Sequence, residues 1–194
     1  MVVRKSLLTG IVILLCAGIA FAQEPYAGKG LLRMQGTLAP AYQPGLKVTN
    51  FYLHGDLEYY VEDKISIRAD SYIFLGSQQK PAIFDQKIMS FFGAMYHFPH
   101  KRIDPFVGIQ PGIAISSVNY TSPEGNNTTS DMAISPLISP VAGVNLYVGK
   151  VIHFFAVVRY MYGRHMSDAP EAVSMSEING SFGLGFNFGR RNRR

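Results

Sequence analysis

The chain has 194 residues, enough for one compact domain with a short appendage and too few for two. Charged residues make up only 16%, against roughly 25% in soluble domains, so membrane solvation has to be considered. The formal charge of +5 is no basic face: without Arg4, Lys5, Arg190, Arg191, Arg193 and Arg194 it falls to about −1, which excludes the distributed cations of a nucleic-acid groove.

Residues 1–22 read as a cleaved signal peptide. Arg4 and Lys5 form the positive start, Leu7 to Ile19 a short apolar core, and Ala20-Phe21-Ala22 a small-x-small cleavage site. The apolar run is shorter than the roughly 20 residues of a spanning helix. Cys16 is the only cysteine and leaves with this segment, so no disulfide is expected in the mature chain.

Beyond residue 22 no run of 18 apolar residues occurs, and period-two alternation dominates. Eight strands are predicted, at about 29–40, 49–61, 65–76, 87–98, 105–119, 137–148, 151–164 and 177–189. Connections alternate: 62–64, 99–104 and 149–150 are short, whereas 41–48, 77–86, 120–136 and 165–176 are longer and polar. An even count with this alternation predicts an all-β chain, a closed eight-stranded antiparallel up-and-down transmembrane β-barrel over residues 23–189. Residues 190–194 form a basic C-terminal tail, a solvated segment that can meet anionic headgroups.

The second and third strands alternate most clearly. Phe51, Leu53, Leu57, Tyr59 and Val61 share one parity, and His54, Asp56 and Glu58 the other; Ile65, Ile67 and Ile73 then oppose Arg68 and Asp70. A three-residue turn at 62–64 places Glu58 opposite Arg68 and Asp56 opposite Asp70, a like-charged pair that requires a cation, from Arg33 or Arg159. Pro111, Pro136 and Pro140 predict bulges or frayed strand ends.

Alternation does not say which face points inward. The apolar face lies inside a soluble lipocalin-like periplasmic barrel and outside a membrane barrel. Inward-suited glycines (Gly93, Gly108, Gly112, Gly183, Gly185) and aromatics near strand ends favour the membrane barrel. The polar parity then predicts a lumen of Arg33, Gln35, His54, Asp56, Glu58, Arg68, Asp70, Gln110, His153 and Arg159, read as an ionic plug, with a proton or ion path as the alternative. Eight strands leave no room for a wide diffusion channel. The histidines are scattered and no metal or other cofactor is predicted.

The terminal stretch Ser181-x-Gly183-x-x-Phe186-x-Phe188 resembles the last strand of Gram-negative outer-membrane barrels, the signal read by their assembly machinery. With "GAMYHF", "PFVGIQPGI" and "GDLEYYVEDKISIRADSY", residues 29–189 resemble the small OmpA/OmpX-like barrel domains. The resemblance implies an outer-membrane location reached through the periplasm, a monomer, and as partners outer-membrane lipids, lipopolysaccharide and the barrel assembly machinery. It implies a non-enzymatic role in surface contact, binding through the extracellular loops, or membrane integrity. A second resemblance lies in "RHMSD": His165 and Ser167 are similar to the His-x-Ser pair of outer-membrane lipid A deacylases, with Glu177 as third member. It implies an alternative acyl hydrolase with Ser167 as nucleophile, His165 as base and Glu177 as its orienter.

Overall fold

The computed structural model describes residues 26–79, 82–121, 125–166 and 173–189. Segments 1–22 and 190–194 and Ser167 lie outside these residues. The strands are β1 (Leu32–Gln43), β2 (Val48–Glu62), β3 (Ile65–Ser77), β4 (Phe84–His97), β5 (Ile103–Thr121), β6 (Asn127–Thr129), β7 (Ala133–Tyr147), β8 (Ile152–Gly163) and β9 (Glu177–Phe188). Eight of them form one closed antiparallel ring, β1-β2-β3-β4-β5-β7-β8-β9, with β9 returning to β1; the short β6 only extends the hairpin end of β5.

Alternation fixes the facing of the eight strands of the ring. On β8, Ile152, Phe154, Val158, Tyr160 and Tyr162 are exposed, while His153, Phe155, Val157, Arg159 and Met161 are buried. The same holds around the ring: Met34, Leu38, Phe51, Leu57, Phe92, Ile109, Ile138 and Phe182 face outward. The 11 residues from Ile152 to Tyr162 run about 33 Å along the strand, or about 25 Å of height at a tilt of about 40°, the thickness of a membrane's apolar layer. This is the reverse of the lipocalin-like arrangement, whose apolar face would line the cavity.

Several local expectations are corrected. Strand β1 begins at Leu32, not near 29, because Gly30 turns the chain with φ 84° and Leu31 N closes onto Gly28 O at 3.2 Å. It runs past Pro40 to Gln43, so the first loop shrinks to residues 44–47. The β2–β3 turn is Asp63-Lys64, with Glu62 paired to Ile65 and the extra residue absorbed as a bulge at Val61. The prolines neither bulge nor end their strands. Instead the ladder lapses beside them and resumes in the same register, between Phe91/Gly112 and Met95/Gly108 near Pro111, and between Ile138/Tyr162 and Val141/Arg159 near Pro140. Pro136 sits within continuous β5–β7 pairing opposite Ile113.

Glycines make room for the large lumen side chains. Gly112, Gly143 and Gly185 pair with Phe91, Phe106 and His153 on neighbouring strands. A Cβ on Gly112 would collide with the Phe91 ring and stand 2.6 Å from Ser90 O. Gly112→Val therefore loses about 3 kcal/mol by overpacking, whereas Gly45→Ala, with nothing within 4 Å, stays within about 0.5 kcal/mol. Urea titration of the refolded protein, read from the compact band on unboiled gels, measures both.

Candidate functional site

The inward parity of β1 to β5, β8 and β9 gathers the charged residues on the barrel axis in three tiers. The tier nearest the short turns is built on Glu58. Arg33 from β1 donates one guanidinium nitrogen to Glu58 and another to Tyr147 Oη at 3.1 Å, and lies 3.7 Å from Asp104. His97 from β4 sets Nε2 2.8 Å from Glu58 and Nδ1 3.0 Å from Asp104. Ser66 donates to Glu58, and Tyr60 to Asp104. Both carboxylates are fully enclosed and neither is short of donors.

The middle tier solves the problem of Asp56 facing Asp70, which the register indeed pairs, as it pairs Glu58 with Arg68. The bridging cation is Arg68 itself: Nη2 lies 2.9 Å from Asp56 and 2.9 Å from Asp70, and Nε adds a contact of 3.1 Å to Asp70. Arg159 serves only Asp70, at 2.8 Å, and holds Gln110 Oε1 at 2.6 Å. Arg33 belongs to the lower tier. The guanidinium is long enough to turn away from the opposed Glu58, 3.9 Å distant, and to fill the space between the two aspartates. His54 Nε2 completes the tier at 3.0 Å from Asp70.

Above these lies an apolar layer including Tyr52, Tyr72, Phe91, Met89, Leu137 and Met161. Beyond it sits a third tier that the sequence did not reveal. Lys87 Nζ donates to Glu177 Oε1 at 2.9 Å; Asn50 and Tyr52 donate to the same carboxylate at 2.8 and 2.9 Å. Lys87 also lies 4.3 Å from the Phe84 ring centroid. Among the described residues the lumen thus holds the cations Arg33, Arg68, Lys87 and Arg159 against Asp56, Glu58, Asp70, Asp104 and Glu177, with both ring nitrogens of His97 on carboxylates.

The predicted lumen residues Arg33, Gln35, His54, Asp56, Glu58, Arg68, Asp70, Gln110, His153 and Arg159 are all buried. His153 Nε2 meets Gln35 Oε1 at 3.2 Å. Missing from that set were Lys87, His97 and Asp104. Lys87 and His97 sit on a strand with apolar residues on both parities, so its inward set was not legible, and Asp104 falls in a stretch read as a connection. His54, Asp56 and Asp70 bring ligand-type atoms within 4.8 Å of one another, but Arg68 already supplies the positive charge there.

The two described members of the proposed hydrolytic set, His165 and Glu177, hold separate partners. His165 Nδ1 is 2.9 Å from Ser116 Oγ, and Glu177 is bound to Lys87, Asn50 and Tyr52; Ser167 lies outside the described residues. In the terminal motif, Ser181 is buried, Gly183 lies beneath the Phe155 ring, and Phe186 and Phe188 face outward.

Removing Arg68 leaves the buried Asp56 without a cation, whereas Asp70 keeps Arg159 at 2.8 Å, so Arg68→Met costs about 3–5 kcal/mol. Adding Asp56→Asn to it recovers most of that loss, as urea midpoints of the three refolded proteins will show.

No protein-family model and no curated protein matches the chain. Solved structures do. OprG from Pseudomonas aeruginosa aligns with a TM-score of 0.65 at 12% identity, covering 86% of this chain and 100% of that one. Neisserial surface protein A aligns at 0.58 and 16% identity over 82% and 96%. The N-terminal β-barrel domain of Pseudomonas aeruginosa OprF aligns at 0.55 and 14% identity over 83% and 99%. At these identities the likeness concerns the fold, and by fold this chain is a small eight-stranded barrel of the outer-membrane type.

Proposed function

We propose that this protein is a non-enzymatic outer-membrane barrel, exported by residues 1–22, whose lumen is sealed and whose work is done by its loops or by its presence in the membrane. The observation that carries this reading is the inverted distribution of polarity. Between Ile88 and Ile115 on β4 and β5, and across the whole of β7, β8 and β9, outward side chains are apolar, small or tyrosine, while the charges point to the axis. Hydrocarbon is the solvent that such an exterior matches, because each backbone group finds its partner within a closed sheet.

Sealing is supported at both ends. At the short-turn end the segment Tyr26–Leu31 crosses the mouth: Ala27 and Leu31 are buried, and the Tyr26 ring lies 4.6 Å from that of Tyr147. At the other end the apolar layer around Phe91 and Met161 separates the lower ionic tiers from the Lys87–Glu177 pair. A charged path along the axis would cross that layer past only the Tyr52 and Tyr72 hydroxyls and no counter-charge, at a cost of several kcal/mol. The parts left to engage something outside are the connections 78–83, 122–132 and 164–176.

The reading makes two measurable predictions. The native protein fractionates with the outer membrane and migrates faster on unboiled than on boiled gels, and planar bilayers containing it show no stepwise ion conductance; recovery in the soluble periplasm would reject it. Val158→Arg, placed at mid-height on the outer wall, destabilises the lipid-refolded barrel by about 2–4 kcal/mol.

A further inference from the structure

Among the described residues the barrel axis carries five buried carboxylates, Asp56, Glu58, Asp70, Asp104 and Glu177, against the four cations Arg33, Arg68, Lys87 and Arg159. One negative charge is left over, and the pairing locates it. Lys87 answers Glu177, and Arg68 with Arg159 answers Asp56 and Asp70. Near the short turns Arg33 alone serves both Glu58 and Asp104, because Arg68 comes no closer to Glu58 than 3.9 Å. Enclosed charge demands a counter-charge. The side chain placed to supply it is His97.

Both ring nitrogens of His97 meet carboxylates: Nε2 lies 2.8 Å from Glu58 Oε1, and Nδ1 3.0 Å from Asp104 Oδ2. Each also meets a hydroxyl, Ser66 Oγ at 2.9 Å and Tyr60 Oη at 2.9 Å. A hydroxyl has one proton to give, and Ser66 gives it to Glu58 while Tyr60 gives it to Asp104. Neither is left to donate to the ring. A neutral imidazole, with a single N–H, would turn a lone pair toward one carboxylate in either tautomer, whereas the imidazolium satisfies both. The titratable and charged groups around the ring are Arg33 from β1, Glu58 and Tyr60 from β2, Arg68 from β3, Asp104 from β5 and Tyr147 from β7; β4 itself adds none at this height.

The same groups hold the cover of this mouth. Tyr60, whose hydroxyl joins His97 and Asp104, accepts the Gly30 N–H on its carbonyl at 2.9 Å and donates its own N–H to Leu31 O at 2.9 Å. Tyr60 and Tyr147 pack with Ala27 and Leu31 in one buried cluster, with Tyr26 against it. Tyr147 Oη in turn lies 3.3 Å from Asp104 and 3.4 Å from Tyr60 Oη. Two side chains thus link the ionic tier to the segment that closes it. Once the ring loses its second proton, a buried carboxylate faces a lone pair, and relief comes from water or from moving apart. Water reaches this tier through the mouth that Tyr26–Leu31 covers.

We propose that His97 binds a proton between Glu58 and Asp104, as the fifth cation of the lumen, and that release of this proton loosens the Tyr26–Leu31 cover. The inference rests on the sealed-lumen reading above for the role of the cover, and its test separates the two. The full mature chain, labelled with 15N, is refolded in detergent micelles, and the band shift on unboiled gels reports folding. Nitrogen–proton correlations of the ring then report the protonation of His97. Amide hydrogen exchange at Gly30 and Tyr60 reports the cover, with Val158 in the middle of β8 as the reference.

At pH 7 His97 is expected to carry a proton on each ring nitrogen. Between pH 7 and pH 10 the second proton leaves, and over the same interval exchange at Gly30 and Tyr60 rises at least tenfold more than at Val158, about what the loss of one hydrogen bond to a charged group allows. The folded state holds the proton, so its stability falls as pH rises through that step. Asp104→Asn removes one of the two carboxylates; a neutral ring then suffices, and the step in exchange disappears. His97→Gln, which takes no charge, exchanges fast at Gly30 and Tyr60 already at pH 7 and shows no step. The wild-type titration needs neither variant. Stepwise ion conductance at pH 7 would overturn the sealed lumen, and with it the role of the cover. A His97 ring with one proton at pH 7 overturns the proton site. So does cover exchange that follows Val158 while the ring titrates, or a step that persists in either variant.

Discussion

The structure depends on closure: the last strand must return to the first, because a sheet facing hydrocarbon cannot leave an edge of unpaired N–H and C=O groups. The β1–β9 seam achieves this with few ladder contacts. It pairs at Leu32 to Gln35 and again at Ala41 and Tyr42, in one unbroken register, with the ladder lapsing between. Pro40 has no N–H to contribute, and side chains take over: Asn179 Nδ2 donates to Pro40 O at 3.0 Å, and Thr37 Oγ1 to Phe182 O at 2.8 Å. Polar residues on the inward parity of the seam thus do structural work that elsewhere falls to the backbone.

Closure in turn fixes the volume inside. Eight strands enclose a space that side chains fill, so several of the large inward groups face a glycine on the neighbouring strand. These pairs are Phe91 with Gly112, Phe106 with Gly143 and His153 with Gly185. The ionic tiers use the same space with greater demand for precision. Arg68 lies among Asp56, Asp70 and, farther off, Glu58, and its guanidinium stands 5.3 Å from the Phe106 ring centroid, so charge and packing are satisfied by one side chain.

The sequence was most readable where one parity is wholly polar. In β2 and β3 the alternation alone gives both the facing and the register that opposes Asp56 and Asp70, since slipping by one residue would expose every charge. It was least readable in β4, where Met89, Phe91 and Met95 inside differ little in type from Ile88, Phe92 and Tyr96 outside. Lys87 and Glu177 are 90 residues apart and become partners only through closure, so no local pattern could join them. The choice between ladders was equally hidden: Glu58 lies opposite Arg68 on β3 and opposite Arg33 on β1, and its close partner is Arg33.

An ionic interior is a costly way to fill a barrel. Hydrophobic residues of equal volume would avoid the desolvation of nine charged side chains, and buried ion pairs seldom improve on such a replacement in stability alone. Specificity supplies the reason. If both faces were apolar, a strand displaced by one residue would still bury hydrocarbon on each side, and the ring could close in several registers. With Arg33, Glu58, Arg68, Asp70, Arg159 and Glu177 committed to the axis, a one-residue slip turns a charge into the lipid, where a single Arg or Lys at mid-height costs about 2–4 kcal/mol. The penalty accumulates over the ring, so the charges act less as glue than as a selector, leaving one inside-out arrangement of this sequence below all the others.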